Sequence, residues 1–387
     1  MLRIAFLLTK RNTPSFGDTA EYEAVAMHFL GLASGPTLPR APAYPALMAL
    51  GFLIGGVKNY MAIRWLQLPL GIALVELVRR IATHVAGPRA GIIAGLAAAV
   101  APTLVFVSSM LYPTSLYTFL LAAITLAALR LEARPRLLTG ALLGLLIVLG
   151  LLTDTVLIAP LVAIGLWLLL RTRVRGADLA RALGAALVTI LLILLPYRMI
   201  GQQQGNRSQV FIAKGQWVLH YARTDSSVNQ YRKVRLPLGE KPDPRPLPEF
   251  LHHEAQLAIE QPAAYLYDIG FEFGHFFAPM PDRIQTRNMY NQPNVLLLGA
   301  IYFTPVLLLS FIGLFQVDAR RDQRILLAGI ICATAGFYAC FFSQTRYRIP
   351  IEPQMLVLAA LAVNSLWKPG QTRRVGEASS EIDLPHR

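Results

Sequence analysis

The ionisable residues of this 387-residue chain are unevenly placed, and their bias says where chemistry could occur. Asp18, Glu21, Glu23, Arg40, Arg64, Asp154, Arg198, Arg346, Arg348 and Glu352 gather at the same ends of long apolar runs. The middles of most of these runs hold no Asp, Glu, Lys, Arg or His. A proton- or ion-coupled carrier keeps such groups near the membrane midplane, so the pattern counts against transport. The densest group is Phe16-Gly17-Asp18-Thr19-Ala20-Glu21-Tyr22-Glu23-Ala24, which sets three carboxylates within six residues. It reads either as a reactive carboxylate group or as a capping box, with Asp18 opening a helix and Glu21 three residues on. Other chemistries lack their residues. His252-His253-Glu254 does not have the His-Glu-x-x-His spacing that puts two metal ligands on one helix face. No Gly-rich phosphate loop ending in Lys-Ser or Lys-Thr occurs, which argues against nucleotide hydrolysis. Cys332 and Cys340 share one apolar run and would stand about 12 Å apart along a helix, too far to bridge.

The elements that must hold these residues are membrane helices. Hydrophobic residues make up 55% of the chain and charged residues only 15%, with a mean hydropathy of +0.48, which predicts an all-α polytopic membrane protein. A span needs roughly 20 apolar residues. Nine runs qualify, at 60–84, 89–108, 111–130, 137–153, 155–170, 181–199, 293–315, 325–343 and 350–367, two of them short. Their connections alternate in charge. Arg79, Arg80 and Arg89 fill the first, Arg130, Arg134 and Arg136 the third, Arg171, Arg173, Arg175 and Arg181 the fifth, and Arg320, Arg321 and Arg324 the seventh. The second, at 108–110, and the fourth, around Asp154, hold no Lys or Arg. This positive-inside pattern puts the basic loops and the tail with Lys368, Arg373 and Arg374 in the cytoplasm. It also accounts for the net charge of +14 without nucleic acid. Glu76, the one deep acid, is expected to pair with Arg79 and Arg80 at the inner interface.

The segments 10–59, 201–292 and 344–349 then face outside. The domain reading is a membrane module over 1–200, an outer loop and amphipathic-helix region over 201–292, returning spans over 293–367 and a disordered cytoplasmic tail over 368–387. Within the outer region, Pro248 to Phe277 has helical periodicity, with Pro262 opening a new first turn and an aromatic stripe of Tyr265, Ile269, Phe273 and Phe276. The 14-residue run Ala43 to Gly56 reads as an interfacial helix. Met1 to Thr9 covers only about 13 Å as a helix, so it is expected to be the end of a longer first span encoded further upstream.

Six motifs, in order, carry a resemblance. They are Gly17-Asp18-(x)3-Tyr22; Arg40-x-Pro42-x-Tyr44-Pro45; Arg64-(x)2-Gln67; Tyr112-Pro113; Leu195-Pro196-Tyr197-x-Met199; and Arg346-Tyr347-Arg348-Ile349-Pro350-Ile351-Glu352-Pro353. Gln261-Pro262-Ala263-Ala264-Tyr265 ahead of Phe276-Phe277-Ala278-Pro279 adds to them. The series resembles the GT-C glycosyltransferases similar to protein O-mannosyltransferases and the lipid A aminoarabinose transferases, over most of the chain. The resemblance implies a GT-C-like bundle in a bacterial-type inner membrane. It implies a sugar moved from a polyprenyl-phosphate donor to a glycan, lipid or protein acceptor on the outer face, with inversion. The first-loop aspartate of that family carries over onto Asp18 as catalytic carboxylate, with Glu21, Tyr22 and Tyr44 beside it. A phosphate leaving group needs cationic donors and no general acid, and Arg40, Arg64, Arg346 and Arg348 supply them.

Two positions depart from the resemblance. Thr114 stands where an acidic residue usually follows Tyr-Pro, and Asp154-Thr155 stands where Arg-Pro is usual. No metal is therefore expected, and Asp154 is the candidate to supply the carboxylate missing at 114. The rival readings are a non-catalytic relative that binds a lipid-linked sugar and a flippase that moves one.

Overall fold

In the computed structural model the described residues are 1–14, 17–34, 40–203, 258–279, 293–316, 320–340 and 343–367, with His252, Ala255 and Gln256. Most of the expected outer region 201–292 and all of the expected tail 368–387 lie outside them, as do His253 and Glu254. Among the described residues all regular structure is helical. The chain has the architecture of a polytopic membrane protein: six helices are long and apolar enough to cross a membrane, at Tyr60–Ala86, Thr114–Ala133, Ala177–Met199, Leu297–Leu314, Arg321–Cys340 and Thr345–Leu366. The other three expected spans are shorter or broken. Leu137–Leu151 has 15 residues, or about 23 Å of helix, and Ile158–Arg175 is entered through a single turn at Thr155–Leu157.

The helices are α1 (Leu2–Leu8), α2 (Gly17–Phe29), α3 (Ala43–Gly55), α4 (Tyr60–Ala86), α5 (Pro88–Val100), α6 (Pro102–Val107), α7 (Thr114–Ala133), α8 (Leu137–Leu151), α9 (Ile158–Arg175), α10 (Ala177–Gln203), α11 (Pro262–Phe276), α12 (Pro293–Leu314), α13 (Arg321–Cys340) and α14 (Glu352–Leu366). The span expected at 89–108 is two helices, because Ala101 takes ψ 113° ahead of Pro102. Pro102 has no N–H to give the Ala98 carbonyl, and a buried orphan carbonyl is costly. Arg3 of α1 fills the gap, donating to Ala98 O at 2.9 Å and Ala99 O at 3.0 Å. A guanidinium at a helix C-terminus also suits the helix dipole.

Close backbone approach depends on glycine. A Cβ at Gly140 or Gly144 of α8 would collide with the carbonyl of Ala182 or Ala186 on α10, and one at Gly313 of α12 with the Leu358 carbonyl on α14. Small residues let membrane helices gain packing where lipid gives no hydrophobic drive. α14 is the most enclosed span, with 83% of its apolar window buried, between α4, α5, α12 and α13.

The basic ends are tied by ion pairs. Glu76 takes Arg79 at 2.6 and 2.8 Å and Arg80 at 2.5 Å, the pairing expected from sequence. Arg171 bridges Glu132 of α7 at 3.0 Å and Asp322 of α13 at 2.9 Å. The opposite ends carry the first loop, the turn 108–113 and the motif around Arg346.

Candidate active site

In the first loop α2 packs on α3, which packs on α4. Asp18 lies in the first turn of α2, and the helix begins at Gly17, two residues earlier than an Asp18 cap requires. Glu21 does not reach back to close a capping box either; its carboxylate pairs with Arg40. Thr19, fully buried, donates its hydroxyl to the Leu111 carbonyl at 3.2 Å and pins this turn to the segment ahead of Tyr112.

From there an aromatic chain crosses the site. Tyr22 meets Tyr44 and Tyr112 edge-on, each with ring centroids 5.6 Å apart. The Arg40 guanidinium lies 5.2 Å from the Tyr22 ring centre, and its Nε is buried with no hydrogen-bond partner among the described residues. The Arg346 guanidinium lies 5.8 Å from Tyr112 and 5.2 Å from Tyr347. Tyr347 in turn stacks on Tyr338 at 4.5 Å, and Tyr338 on Phe276 at 5.8 Å. Two guanidiniums thus flank one aromatic floor, where cation–π attraction adds to the ion pair of Arg40 with Glu21 and to the hydrogen bond that Arg346 Nη2 donates to the Tyr347 hydroxyl at 3.4 Å. Gln67 fixes the floor from below, donating to Tyr44 at 3.2 Å and Ser115 at 2.9 Å. Burial pushes the Tyr44 phenol well above its usual pKa, which keeps it a neutral donor.

The other candidates are placed differently. Arg64 is buried and gives its three guanidinium nitrogens to backbone carbonyls: Nε to Ser109 at 3.0 Å, Nη1 to Arg11 at 2.9 Å and Nη2 to Thr13 at 2.7 Å. Arg348 donates to the Ala278 carbonyl after α11, covers the Phe303 ring at 3.4 Å and lies 3.8 Å from the buried Glu352, which accepts from Thr103. Asp154 accepts from Val156 N–H at 3.2 Å and so caps the turn at 155–157. Beside it, Ala43 N–H donates to Leu152 O at 2.9 Å, which ties the Arg40–Pro45 loop to this end of α8. Asp154 is within electrostatic range of Tyr117, one turn along α7 from Thr114, and of Tyr338. The Tyr117 hydroxyl is buried with no hydrogen-bond partner among the described residues.

No family model matches the chain, and no curated protein sequence does. Solved structures do. ArnT from Cupriavidus metallidurans bound to undecaprenyl phosphate superimposes with a TM-score of 0.58 at 15% identity, over 94% of this chain and 59% of ArnT. The archaeal oligosaccharyltransferase AglB from Archaeoglobus fulgidus, in complex with an inhibitory peptide and a dolichol-phosphate, gives 0.55 at 13% identity, over 92% of this chain and 47% of AglB. The chain shares the fold of these two membrane proteins. It spans about half their length.

On this frame Tyr22, Arg40, Tyr44, Tyr112 and Arg346, far apart in sequence, build one floor. Thr19, Tyr117 and Tyr338 were not visible as site residues. Tyr338 reads as one more aromatic in an apolar run, and nothing local distinguishes it. The helix α11, on which the stripe was expected, packs on α13 and buries two acids with one aromatic. Asp268, Glu272 and Phe276 are buried, Phe273 is exposed, and Glu272 accepts from Ser343 N–H at 2.6 Å beside the Arg346 motif.

Proposed function

We propose that the protein transfers a sugar from a polyprenyl-phosphate donor to an acceptor hydroxyl at the outer face of the membrane, with inversion at the anomeric carbon. The observation that carries this reading is the pair Arg40 and Arg346 on the Tyr22–Tyr112 floor, next to the turn of α2 that bears Asp18. The Asp18 carboxylate takes the proton from the acceptor hydroxyl as its oxygen bonds to the anomeric carbon. The bond from that carbon to the phosphate oxygen breaks on the opposite face. The leaving group is a stable anion, so it needs no proton, and Arg40 and Arg346 receive its charge with donors aimed at the phosphate oxygens. Undecaprenyl phosphate on ArnT and dolichol-phosphate on AglB support a lipid-phosphate partner for this fold.

These steps are written without a metal, because Thr114 leaves the Tyr-Pro motif without its acid. Asp154 acts on Tyr117 through its charge and orients the acceptor through that hydroxyl. Asp154→Asn is therefore expected to slow transfer about tenfold, the loss of about 1.4 kcal/mol of charge interaction. Adding Thr114→Glu restores part of the loss; full activity of Asp154→Asn in a transfer assay would leave it only a helix-turn cap.

Orientation is tested separately. Reporter fusions at Ser109 and Gly205 are expected to read outside, and those at Arg134 and Arg373 inside, as the loop arginines dictate. The function is tested by incubating purified protein, in EDTA, with a panel of radiolabelled polyprenyl-phosphate sugars. Label moving to a water-soluble or lipid acceptor supports the reading, and no movement with any donor overturns it.

A further inference from the structure

Among the sequence candidates for binding the donor phosphate, Arg64 has the least to offer it. The side chain is 3% exposed, and its Nε, Nη1 and Nη2 donate to Ser109, Arg11 and Thr13. Three carbonyls from two separate stretches of chain converge on one planar cation, which is the arrangement that matches arginine's fixed fork of donors.

The stretches are informative. Arg11 and Thr13 lie in the segment entering α2, six and four residues ahead of Gly17, and Ser109 lies in the turn between α6 and α7. Two residues beyond Ser109, the Leu111 carbonyl accepts from Thr19. Asp18 is therefore bracketed: Arg64 fastens the chain before it, and Thr19 fastens the chain after it, to the same three residues, 109–111. Tyr112 follows at once and carries the contacts to Tyr22 and Arg346. The segment entering α2 has a further tie to the start of α4, where Met61 N–H donates to Asn12 Oδ1 at 3.2 Å.

We infer that Arg64 is a positioning residue that fixes the separation between the Asp18 turn and the Tyr112–Arg346 floor, and that it does not bind the donor. A base carried on a fastened turn stays within reach of the acceptor proton, and a shift of about 1 Å costs on the order of a hundredfold in rate. The inference rests on the proposed transfer reaction for its catalytic part, while the fastening itself is independent of it. Lysine cannot replace the fork, since one ammonium cannot lie in the plane of three carbonyls from two directions.

The test has two arms. In the first, with Cys332 and Cys340 replaced by Ser, a nitroxide is attached at Thr13→Cys, whose parent side chain is exposed. Its mobility is expected to rise in Arg64→Ala and in Arg64→Lys, and unchanged mobility in both overturns the fastening. In the second, turnover is measured per donor-binding site, so that unfolded protein does not count. Arg64→Ala is expected to lower kcat tenfold or more with donor Kd unchanged within about twofold, and methylguanidinium, but not methylammonium, to restore part of kcat. A donor Kd weakened tenfold with kcat intact would make Arg64 a phosphate ligand and contradict the inference. If the parent protein transfers no sugar, the reaction reading fails, and the nitroxide arm still decides the fastening.

Discussion

Asp18→Asn is expected to slow sugar transfer a hundredfold or more while leaving donor affinity within about twofold, the range that removal of a general base usually produces. Asparagine keeps the size of the side chain and most of its ability to accept N–H groups in a first helical turn, so α2 is expected to survive. The contrast is Glu21→Gln. Glu21 is occupied by Arg40, so its loss frees a guanidinium and is expected to alter donor binding more than turnover. Single-turnover rates and equilibrium binding of the same lipid donor separate the two. Near-full activity in Asp18→Asn with loss in Glu21→Gln or Glu23→Gln would move the base elsewhere on α2.

The second large effect falls on the donor. Arg346→Ala and Arg40→Ala each remove a cation that faces an aromatic ring, and a hydrogen bond to a charged phosphate contributes about 2 kcal/mol. Donor Kd is therefore expected to weaken roughly thirtyfold in each. Arg346→Lys is expected to recover only part, because an ammonium is a point charge and cannot bind phosphate through two parallel N–H groups. Titration of the lipid phosphate against the detergent-purified protein checks this. Unchanged affinity in both alanine variants would assign these arginines to headgroup or fold contacts.

The membrane class and the helices were legible from sequence because apolar runs of span length and alternating loop charge are physically strong signals. Glu76 with Arg79 and Arg80 was legible for the same reason, since i,i+3 and i,i+4 partners meet on any helix. Breaks were less legible. The run 89–108 is apolar throughout, and only the missing N–H of Pro102 and the cation of Arg3, brought from the start of the chain, explain why two helices form there. The site motifs were visible as residue types, but their roles depended on long-range partners. Arg40 and Arg64 look alike in sequence; one lies over Tyr22 with Glu21, and the other gives its nitrogens to three carbonyls. The same holds for α11, where the sequence shows a stripe of Tyr265, Ile269, Phe273 and Phe276 and the buried positions are Asp268, Glu272 and Phe276. Periodicity gives the spacing of a helix face, and the neighbour decides which face is buried.

The central claim is chemical transfer driven by one carboxylate, as against binding or movement of an intact lipid-linked sugar. The most direct test follows the donor in proteoliposomes carrying either the parent chain or Asp18→Asn. Free polyprenyl phosphate and glycosylated acceptor are counted together, and the anomeric configuration of the product is read by NMR. The account predicts one lipid phosphate released per sugar transferred, an inverted anomeric centre, and a hundredfold slower appearance of both in Asp18→Asn. Donor that binds or crosses the bilayer intact, with no lipid phosphate released by the parent chain, would contradict it.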